Sequence, residues 1–475
     1  MPEQVLINLD GPTTEFPHFW EQMFGSGRAI LSLRSDYRSD LHAIHAATDL
    51  KYVRFHAIFH DEVGLYGEDA QGQPIYNFSY VDQIYDGLLA EHVKPFVELS
   101  FMPAKLASTP AALHPFWYKP NTSPPKDWAK WDAMISAFVK HLIDRYGVDE
   151  VRSWYFEVWN EPNLDFWSGE PRQQSYWKLY DHTARAVKSV DSRLRVGGPA
   201  TAQSAWVDAF IAHCAANNVP LDFVSTHVYG DDRSQDVFGT REEIPRREMV
   251  CRAVKKVHDQ IAASSMPRLP LIWSEFNATY RNLPEITDST FMGPWLADTI
   301  RQCNGMVTMM SYWTFSDVFE EQGVVKTPFY GGYGLIAERG IPKPAYNAFL
   351  ILHHLGKQRI AVSSDSVLAT RRDDGTYAIA IWNYADPDKP GKLRMLKLSF
   401  TGKDAGHALI YRVDDNHGNA LKAYSKMGSP SYPTESQIRD LQEAAELPQP
   451  DEVTIRDQEL MISIPPHGLA LIEIR

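Results

Sequence analysis

Short apolar runs and longer amphipathic runs alternate along most of the chain. The β-rich apolar runs predict strands, and the stretches in which apolar residues recur every three or four positions predict helices. Eight strands alternating with eight helices are typical of a (β/α)8 TIM barrel. The predicted strands are 28–33, 51–58, 93–100, 151–160, 194–199, 222–228, 269–275 and 306–313, and the predicted helices are 37–50, 80–92, 127–146, 173–190, 204–217, 245–263, 288–302 and 344–355.

The pattern changes after about residue 357. Short-period alternation with Gly, Asp and Pro between the segments predicts antiparallel strands and hence an accessory C-terminal β-sandwich. We expect residues 5–9 to add one strand to it, and 425–450 to form a long loop with one short helix. The predicted fold class is therefore α/β, with the barrel over 14–345 and the sandwich over 1–13 plus 346–475. The predicted sandwich strands are 366–370, 376–384, 393–400, 407–413 and 459–474.

Length and charge narrow the class of protein. The 475 residues suit one large barrel plus an accessory domain. A net charge of −13, without any long run of like charges, repels polyanions, so we expect neither nucleic acid nor a membrane as partner. No apolar run approaches the roughly 20 residues that span a bilayer. The 12% aromatic content fits both buried rings and sugar-binding clefts and does not distinguish them.

The cysteines and the N-terminus favour a reducing compartment. Cys214, Cys251 and Cys303 are odd in number, widely spaced and without a CxxC motif, which predicts buried free thiols rather than a disulfide framework. The first residues, MPEQVLINLDGP, lack the basic and apolar regions of a signal peptide. We therefore expect a cytoplasmic protein, with a removed leader as the alternative.

The histidines do not indicate a metal site. None of the 17 belongs to an HExxH or HxH array, so we expect neither a metal nor another cofactor. His353 and His354 lie on an apolar helix, which favours packing over metal binding.

Polar and aromatic side chains occupy the ends of six predicted strands. In a TIM barrel the carboxyl ends of the strands meet at one mouth, where the active site lies. A purely structural barrel does not require such groups there. They are His56, Glu98, Asn160, Glu161, His227, Tyr229, Glu275 and Trp313.

Glu161 and Glu275 are the outstanding pair. Glu161 closes FEVWNE and Glu275 closes LIWSE, and Pro162 helps to end the first of these strands. Either carboxylate alone fits a salt bridge or a helix cap. Together at one mouth they are what glycoside cleavage requires, because one must be protonated and the other ionised. Glu157 and Glu98 fit a structural position inside the barrel, with Arg54 as the predicted partner of Glu157.

These motifs resemble a known family. WNEPN and WSEFN are similar to the signatures of the retaining clan A glycosidases. Nine blocks in order, from about residue 15 to the end, resemble glycoside hydrolase family 39 and its β-xylosidase branch. They are RFHAIFHDEVGLY, PFVELSFMPAKLAS, PPKDWAKW, FEVWNEPNLDFW, VGGPA, FVSTHVYG, SYWTFSDVFEE, GGYGLIA and IPKPAY.

The resemblance implies a role for each site residue. Glu161 is expected to be the general acid/base and Glu275 the nucleophile of a two-step hydrolysis that retains configuration. Sugar contacts are expected from Asn160 at the 2-hydroxyl, His227 and Tyr229 beside the nucleophile, Trp313 as an aromatic floor, Glu320 and Glu321 at the far hydroxyls, His56 and His60 along the pocket, and Tyr280 on the nucleophile side.

The resemblance also implies the substrate. We expect an exo-β-xylosidase that releases xylose from the non-reducing ends of xylooligosaccharides or from aryl xylosides. An arabinosidase, glucosidase or uronidase on the same frame is the alternative, although a uronidase needs a basic residue near the sugar C5. A non-catalytic sugar-binding barrel is disfavoured by the intact glutamates. The chain ends at LIEIR without the extension that joins some relatives into tetramers, so a monomer or weak homo-oligomer is expected.

Overall fold

Eight short parallel strands form a closed barrel in the computed structural model, which describes residues 2–474. Each strand pairs with the next along the chain, and the last pairs with the first. This arrangement confirms the predicted TIM barrel. The strands are β1 (Met23–Gly25), β2 (Tyr52–Phe55), β3 (Lys94–Leu99), β4 (Tyr155–Val158), β5 (Arg195–Thr201), β6 (Phe223–Tyr229), β7 (Leu271–Asn277) and β8 (Met309–Tyr312).

A helix follows each barrel strand, as the periodicity predicts. Helices α1 to α6 bury one apolar face against the barrel and expose the other, whereas α7 and α8 have no exposed residue. Among the described residues, no helix combines the length and apolar character needed to cross a membrane. The helices are α1 (Ser35–Ala47), α2 (Ser79–Ala90), α3 (Trp128–Tyr146), α4 (Arg172–Val190), α5 (Val207–Ala216), α6 (Arg246–Ala263), α7 (Met292–Cys303) and α8 (Pro344–Leu352), with shorter ones at Val148–Arg152, Ala202–Ser204, Ser234–Phe238 and Pro284–Thr287.

The predicted first strand, 28–33, is wrong. Those residues contain a 3-10 helix, Ala29–Leu33, and the barrel strand is the preceding Met23–Gly25. The helix buries Ala29 and Leu31, so its apolar pattern imitates a strand. Gly25 suits the barrel position because a β-carbon there would lie 2.0 Å from Cε3 of Trp313.

The C-terminal region forms the predicted β-sandwich. A three-stranded sheet pairs Arg394–Thr401 with Glu459–Ile464 and, in parallel, with the N-terminal strand Glu3–Asn8. An apolar core of mainly aliphatic side chains, with Tyr377 and Phe400, separates it from a seven-stranded sheet. The second sheet has the order Thr13–Glu15, Gln358–Ile360, Val367–Arg371, Tyr377–Trp382, Leu469–Ile474, His407–Val413 and Asp451–Thr454. The domain boundaries at 14 and 345 stay a prediction.

The region predicted as a loop with one short helix contains more structure. Two helices, Leu421–Lys426 and Glu435–Ala445, lie before the strand Asp451–Thr454. Thr434 caps the second helix through a reciprocal capping box with Gln437. This helix buries Leu441 in a small apolar cluster with residues that follow β8. Two small hairpins complete the fold, pairing Tyr66–Glu68 with Pro74–Tyr76 and Ile336–Ala337 with Ile341–Pro342.

Candidate active site

Glu161 lies three residues beyond the end of β4. The strand ends at Val158, earlier than predicted, and Trp159 and Glu161 both adopt positive φ angles of 73° and 43°. The backbone N–H of Glu161 donates to the carbonyl of Ala200, 2.8 Å away, at the end of β5. The turn is therefore anchored to the neighbouring strand, and the carboxyl group of Glu161 lies at the barrel mouth.

The carboxyl groups of Glu161 and Glu275 approach each other closely. An oxygen of one lies within 4.8 Å of an oxygen of the other, and both residues are buried, with 8% and 5% exposure. Retaining glycosidases hold their carboxyl groups about 5–5.5 Å apart, whereas inverting enzymes leave about 6.5–9.5 Å for a water molecule. The spacing is that of a retaining pair.

His227 lies between the two glutamates. Its Nδ1 is 3.0 Å from Oε1 of Glu161 and 3.5 Å from Oε2 of Glu275, and its Nε2 is 3.1 Å from the hydroxyl of Ser274. Burial, together with the charge of Arg54, lowers the pKa of His227 well below its ordinary value. The imidazole is therefore neutral and joins the two carboxyl groups without adding a charge.

A buried guanidinium connects the acidic groups of the mouth. Arg54 Nη1 lies 3.0 Å from Glu275, and Nη2 donates to the side-chain oxygen of Asn160 at 2.9 Å. Nε of the same residue lies 2.6 Å from Glu157, which confirms the predicted pair, and Nη2 lies 2.8 Å from Glu98. Buried charges persist when they are paired and hydrogen-bonded. One arginine thus orients both the expected nucleophile and the expected 2-hydroxyl ligand.

The two glutamates differ in their electrostatic surroundings. Burial, followed by the negative charge of Glu275, raises the pKa of Glu161 well above its ordinary value. Burial also raises the pKa of Glu275, but the charge of Arg54 and a hydrogen bond from the Tyr229 hydroxyl oppose that effect. Groups with separated pKa values take the acid and base roles of a site. The surroundings therefore favour the proton on Glu161 and the negative charge on Glu275.

His56, Trp313 and Glu321 form one wall of the mouth. His56 lies at the end of β2, with Nδ1 2.7 Å from Glu98 and its ring centroid 4.8 Å from that of Trp313. Its Nε2 is 3.7 Å from Glu321, a buried carboxyl group whose pKa is raised by burial and by Glu275. This wall offers an aromatic face and polar groups to a sugar ring.

Glu320, by contrast, is directed elsewhere. Its carboxylate lies 2.5 Å from Arg34 and 3.7 Å from Arg28, so it forms surface-side ion pairs instead of facing the glutamates. Its backbone φ of 58° turns it away from the adjoining Glu321. Of the two carboxylates expected at the far hydroxyls, the structure brings only Glu321 to the site.

Tyr280 and His60 lie at the edge of the site. Tyr280 is 49% exposed, and its ring centroid is 6.4 Å from that of Tyr229. The ring of His60 packs edge-on against Tyr118 at 5.4 Å, and its Nδ1 accepts a hydrogen bond from the backbone of Glu62. Both residues shape the rim and do not contact the glutamates.

Tyr333 lies beside the site, although no sequence pattern predicts it there. Its ring belongs to an aromatic cluster with Tyr229 and Trp313, and it lies in the GGYG segment quoted for the family resemblance. Lys343, fully buried, holds this segment by donating to the carbonyl of Gly332 and pairing with Asp317 at 2.6 Å. The glycine-rich motif is a signal for a shaped loop, but it does not predict which side chain reaches the mouth.

The glutamates and His227 have the ligand types and spacing of a metal site. One ligand atom each from Glu161, His227 and Glu275 lies within 4.8 Å of the others. Both oxygens of Glu275 already accept hydrogen bonds, from Arg54 and Tyr229. A cation at this position would therefore compete with the guanidinium for the same carboxylate.

His353 and His354 make both ring contacts and hydrogen bonds: the ring of His353 lies 6.2 Å from that of His18, and the ring of His354 lies 5.8 Å from that of Tyr411. They follow the last turn of α8, between barrel and sandwich, with 35% and 41% side-chain exposure. His353 lies 3.0 Å from Glu21, and His354 lies 2.9 Å from Glu473. His18, Glu21 and His353 form the second group with metal-ligand spacing, at the opposite end of the barrel from Glu161.

Comparisons with known proteins agree with this site. The model of glycosyl hydrolases family 39 matches residues 3–457. The chain is 37% identical over 444 residues to a beta-xylosidase from Geobacillus stearothermophilus, covering 90% of this chain and 87% of that one. It is 35% identical over 494 residues to a beta-xylosidase from Caldicellulosiruptor saccharolyticus, covering 99% and 98%.

A solved structure shows the same architecture. The monomeric beta-xylosidase from Caulobacter crescentus CB15 superposes with a TM-score of 0.90 at 35% identity, covering 100% of this chain and 99% of that one. The similarity therefore includes both the barrel and the sandwich. On the family match and these identities, the chain belongs to glycosyl hydrolases family 39.

Proposed function

We propose that this protein is a retaining exo-β-xylosidase that releases xylose from the non-reducing ends of xylooligosaccharides. The observation that carries the proposal is the pair Glu161 and Glu275, two buried carboxyl groups within 4.8 Å whose surroundings favour opposite protonation states. The names of the relatives supply the sugar, since two of them are beta-xylosidases similar to this chain over most of its length.

In the first step, Glu275 attacks the anomeric carbon. The carboxylate forms a bond to C1 while the bond from C1 to the leaving oxygen breaks, and Glu161 transfers its proton to that oxygen. Arg54 and Tyr229 hold the two oxygens of the nucleophile in place. The products are the released alcohol and a xylosyl ester on Glu275.

In the second step, water replaces the ester. Esterification removes the negative charge of Glu275, so the pKa of Glu161 falls and its carboxylate accepts a proton from the attacking water. The new bond forms on the face from which the first leaving group departed. Two inversions at C1 give net retention.

The neighbouring side chains hold the sugar between the glutamates. Asn160, oriented by Arg54, is placed to bind the 2-hydroxyl, a contact that strengthens as charge develops on the ring. Trp313 supplies an apolar face, and Glu321 an acceptor for a remote hydroxyl. These contacts position C1 for attack.

Hydrolysis of a panel of 4-nitrophenyl glycosides tests the proposal. We expect the largest kcat/KM with the β-xyloside, compared with α-L-arabinofuranoside, β-glucoside and α-L-iduronide. Proton NMR should show β-xylose as the first product, before mutarotation. Faster turnover of another glycoside, α-xylose as the first product, or absence of turnover would contradict the proposal.

We also propose a monomer. The Caulobacter crescentus relative is described as monomeric, and it resembles this chain over its full length. Light scattering coupled to size-exclusion chromatography should give a mass near 54.0 kDa. A dimer or tetramer mass that persists on dilution would contradict this proposal.

The expected compartment is the cytoplasm. Cys214, Cys251 and Cys303 are buried free thiols, and Cys251 and Cys303 remain unbonded although their sulfurs are 3.1 Å apart. Unpaired thiols support a reducing environment. Fractionation of the source cells, followed by assay of xyloside hydrolysis, should place the activity in the cytoplasmic fraction. Activity in an extracellular or periplasmic fraction would contradict this.

A further inference from the structure

The two connections between the barrel and the sandwich run side by side. One connection, residues 16–22, enters β1, and the other, residues 353–357, leaves α8. The sandwich strands next to them pair with each other, and the backbone N–H of Phe16 donates to the carbonyl of Lys357, 2.8 Å away. Side chains of the two connections therefore meet at the end of the barrel opposite to the mouth.

Three side chains from these connections converge on one point. Nδ1 of His18 lies 2.5 Å from Oε1 of Glu21, and Nδ1 of His353 lies 3.1 Å from Oε1 and 3.0 Å from Oε2 of the same carboxylate. One ligand atom of each residue lies within 4.8 Å of those of the other two. The two imidazole rings meet edge to face, with centroids 6.2 Å apart. Both histidines thus direct a nitrogen at one carboxylate.

Glu21 is a buried anion without a permanent cation. Its side chain has no exposed surface, and among residues 2–474 its ion-pair partners are His18 and His353, with no lysine or arginine. A histidine is charged only when it is protonated. Buried charges in proteins are ordinarily paired or bound to a metal ion. A divalent cation would therefore balance this carboxylate at a pH at which the imidazoles are neutral.

The two imidazoles can bind a metal ion at this point. Nε2 of His18 is buried without a hydrogen-bond partner in the described chain, so Nδ1 is the nitrogen of this ring that has polar neighbours. The side chain of His353 is 35% exposed, which gives an ion a path from solvent and leaves room for a water molecule. A neutral imidazole binds metal through either nitrogen. Two nitrogens, one carboxylate and one water molecule make four ligands.

The ligand types select the class of metal. Imidazole nitrogens suit zinc and its neighbours among the transition metals, whereas magnesium and calcium prefer oxygen ligands alone. Zinc takes histidine and carboxylate ligands together, most often four in a tetrahedral arrangement. Two histidines and one glutamate therefore favour Zn²⁺ over Mg²⁺ or Ca²⁺.

We infer that His18, Glu21 and His353 form a structural zinc site that joins the two connections between the barrel and the sandwich. Zn²⁺ takes the place of the protons between the imidazoles and the carboxylate and releases them to solvent. Each Nδ1 and a carboxylate oxygen then bind the ion directly. The ion links the segment that enters β1 to the end of α8, far from the catalytic glutamates, so it stabilises the fold and takes no part in glycoside cleavage.

Zinc binding to the full chain, after removal of metals with a chelator, tests the inference. Isothermal titration calorimetry with Zn²⁺ should show binding to the wild type, and His353→Gln should raise the Kd about 100-fold or more, because losing only the support of a metal ligand costs about 10–100-fold. Saturating Zn²⁺ should raise the Tm of the wild type by about 2 °C or more and leave that of His353→Gln unchanged. A wild type that binds no Zn²⁺, or an unchanged Kd in His353→Gln, would overturn the inference.

His354→Gln is the matched control. His354 is the next residue along the chain and has a similar side-chain exposure of 41%, but it pairs with Glu473 of the sandwich instead of Glu21. This variant should keep the wild-type Kd for Zn²⁺ and the wild-type rise in Tm. An equal loss in both variants would show a general effect at the end of α8 and overturn the assignment to His353.

A second position for the ion has to be distinguished, because Glu161, His227 and Glu275 also have the spacing of metal ligands. Glu275→Gln removes one ligand at the mouth and should keep the rise in Tm with Zn²⁺. Crystals soaked in Zn²⁺ should show an anomalous peak about 2.0–2.2 Å from the three residues of the proposed site. A peak at the mouth alone, or loss of the Tm rise in Glu275→Gln, would overturn the inference. Hydrolysis of 4-nitrophenyl β-xyloside is assayed separately, so failure of the zinc site leaves the proposed function intact.

Discussion

Arg54 Nη1 lies 3.0 Å from Oε2 of Glu275, and both side chains are buried at the barrel mouth. Burial raises the pKa of Glu275, and the charge of Arg54 opposes that rise. A nucleophile must be ionised to attack. In the proposed mechanism, this contact therefore favours the ionised form of Glu275 despite its burial.

Arg54→Lys tests that relationship. A lysine ammonium cannot contact Glu275, Asn160 and the structural carboxylates at the same time, since it presents one nitrogen on a flexible stem. We expect kcat/KM to fall about 100-fold or more. The acidic limb of the pH profile should move to higher pH, because the pKa of Glu275 rises when its cation retreats. Arg145→Lys is the control, because Arg145 lies on α3 and pairs with Asp86 at the surface. An acidic limb that does not move in Arg54→Lys would contradict the account.

Glu161→Ala removes the proposed proton donor. Aryl xylosides with poor leaving groups should lose most activity, because they depend on protonation, whereas 2,4-dinitrophenyl xyloside should lose much less in the first step. Added azide should occupy the space of the carboxylate and yield β-xylosyl azide. Kinetics across a series of leaving groups measure this, and an equal loss for every leaving group would count against Glu161 as the acid.

The charge of Glu275 should control the proton of Glu161. Burial is the first cause of the raised pKa of Glu161 and the charge of Glu275 is the second. In Glu275→Gln the second cause is absent, so titration of Glu161 should move to lower pH but remain above that of an exposed glutamate. Carbon-13 NMR of labelled glutamate can follow it. The same midpoint in both proteins would refute the coupling.

We expect the alkaline limb of the kcat/KM profile to belong mainly to Glu161, because the proposed acid must keep its proton. We expect the acidic limb to belong mainly to Glu275, because the proposed nucleophile must be ionised. The two groups titrate as a coupled pair, so each limb reports the pair. Neutralising Glu275 therefore changes the microscopic titration of Glu161 seen by NMR.

Gly25→Ala tests the placement of Trp313. A β-carbon at Gly25 would lie 2.0 Å from Cε3 and 2.6 Å from Cζ3 of the indole, so the ring must shift. We expect kcat/KM for the β-xyloside to fall about tenfold or more, because a displaced indole ring of Trp313 would displace C1 of the sugar from the glutamates. Gly406→Ala, where a β-carbon meets nothing within 4 Å, is the control. Full activity in Gly25→Ala would show that the ring is not a sugar platform.

The periodicity predicts the fold well, because each barrel strand and helix buries one continuous apolar surface. The exception is β1, which has only three residues and includes Gly25, so it carries almost no pattern of its own. The apolar 3-10 helix after it carries a stronger one. The longer apolar pattern of Ala29–Leu33 therefore predicts a strand there and not at Met23–Gly25, since both segments are buried.

The site is predictable where its residues end strands. Glu161, Glu275 and His56 follow directly from strand ends at one mouth. Tyr333 lies on a loop without periodicity, and only the tertiary fold packs its ring with those of Tyr229 and Trp313. Glu320 and Glu321 are equivalent in the sequence, and the positive φ of Glu320 separates their directions. Such differences depend on backbone geometry, which local sequence patterns do not encode.

Trapping of the covalent intermediate tests the central claim most directly. A 2-deoxy-2-fluoro-β-xyloside with a good leaving group should react once and remain attached. The fluorine slows both steps, whereas the good leaving group restores the rate of the first step only. Peptide mapping by tandem mass spectrometry should place one fluoroxylosyl group on Glu275, and Glu275→Gln should remain unlabelled. A label on Glu161 or on any other residue would contradict the mechanism.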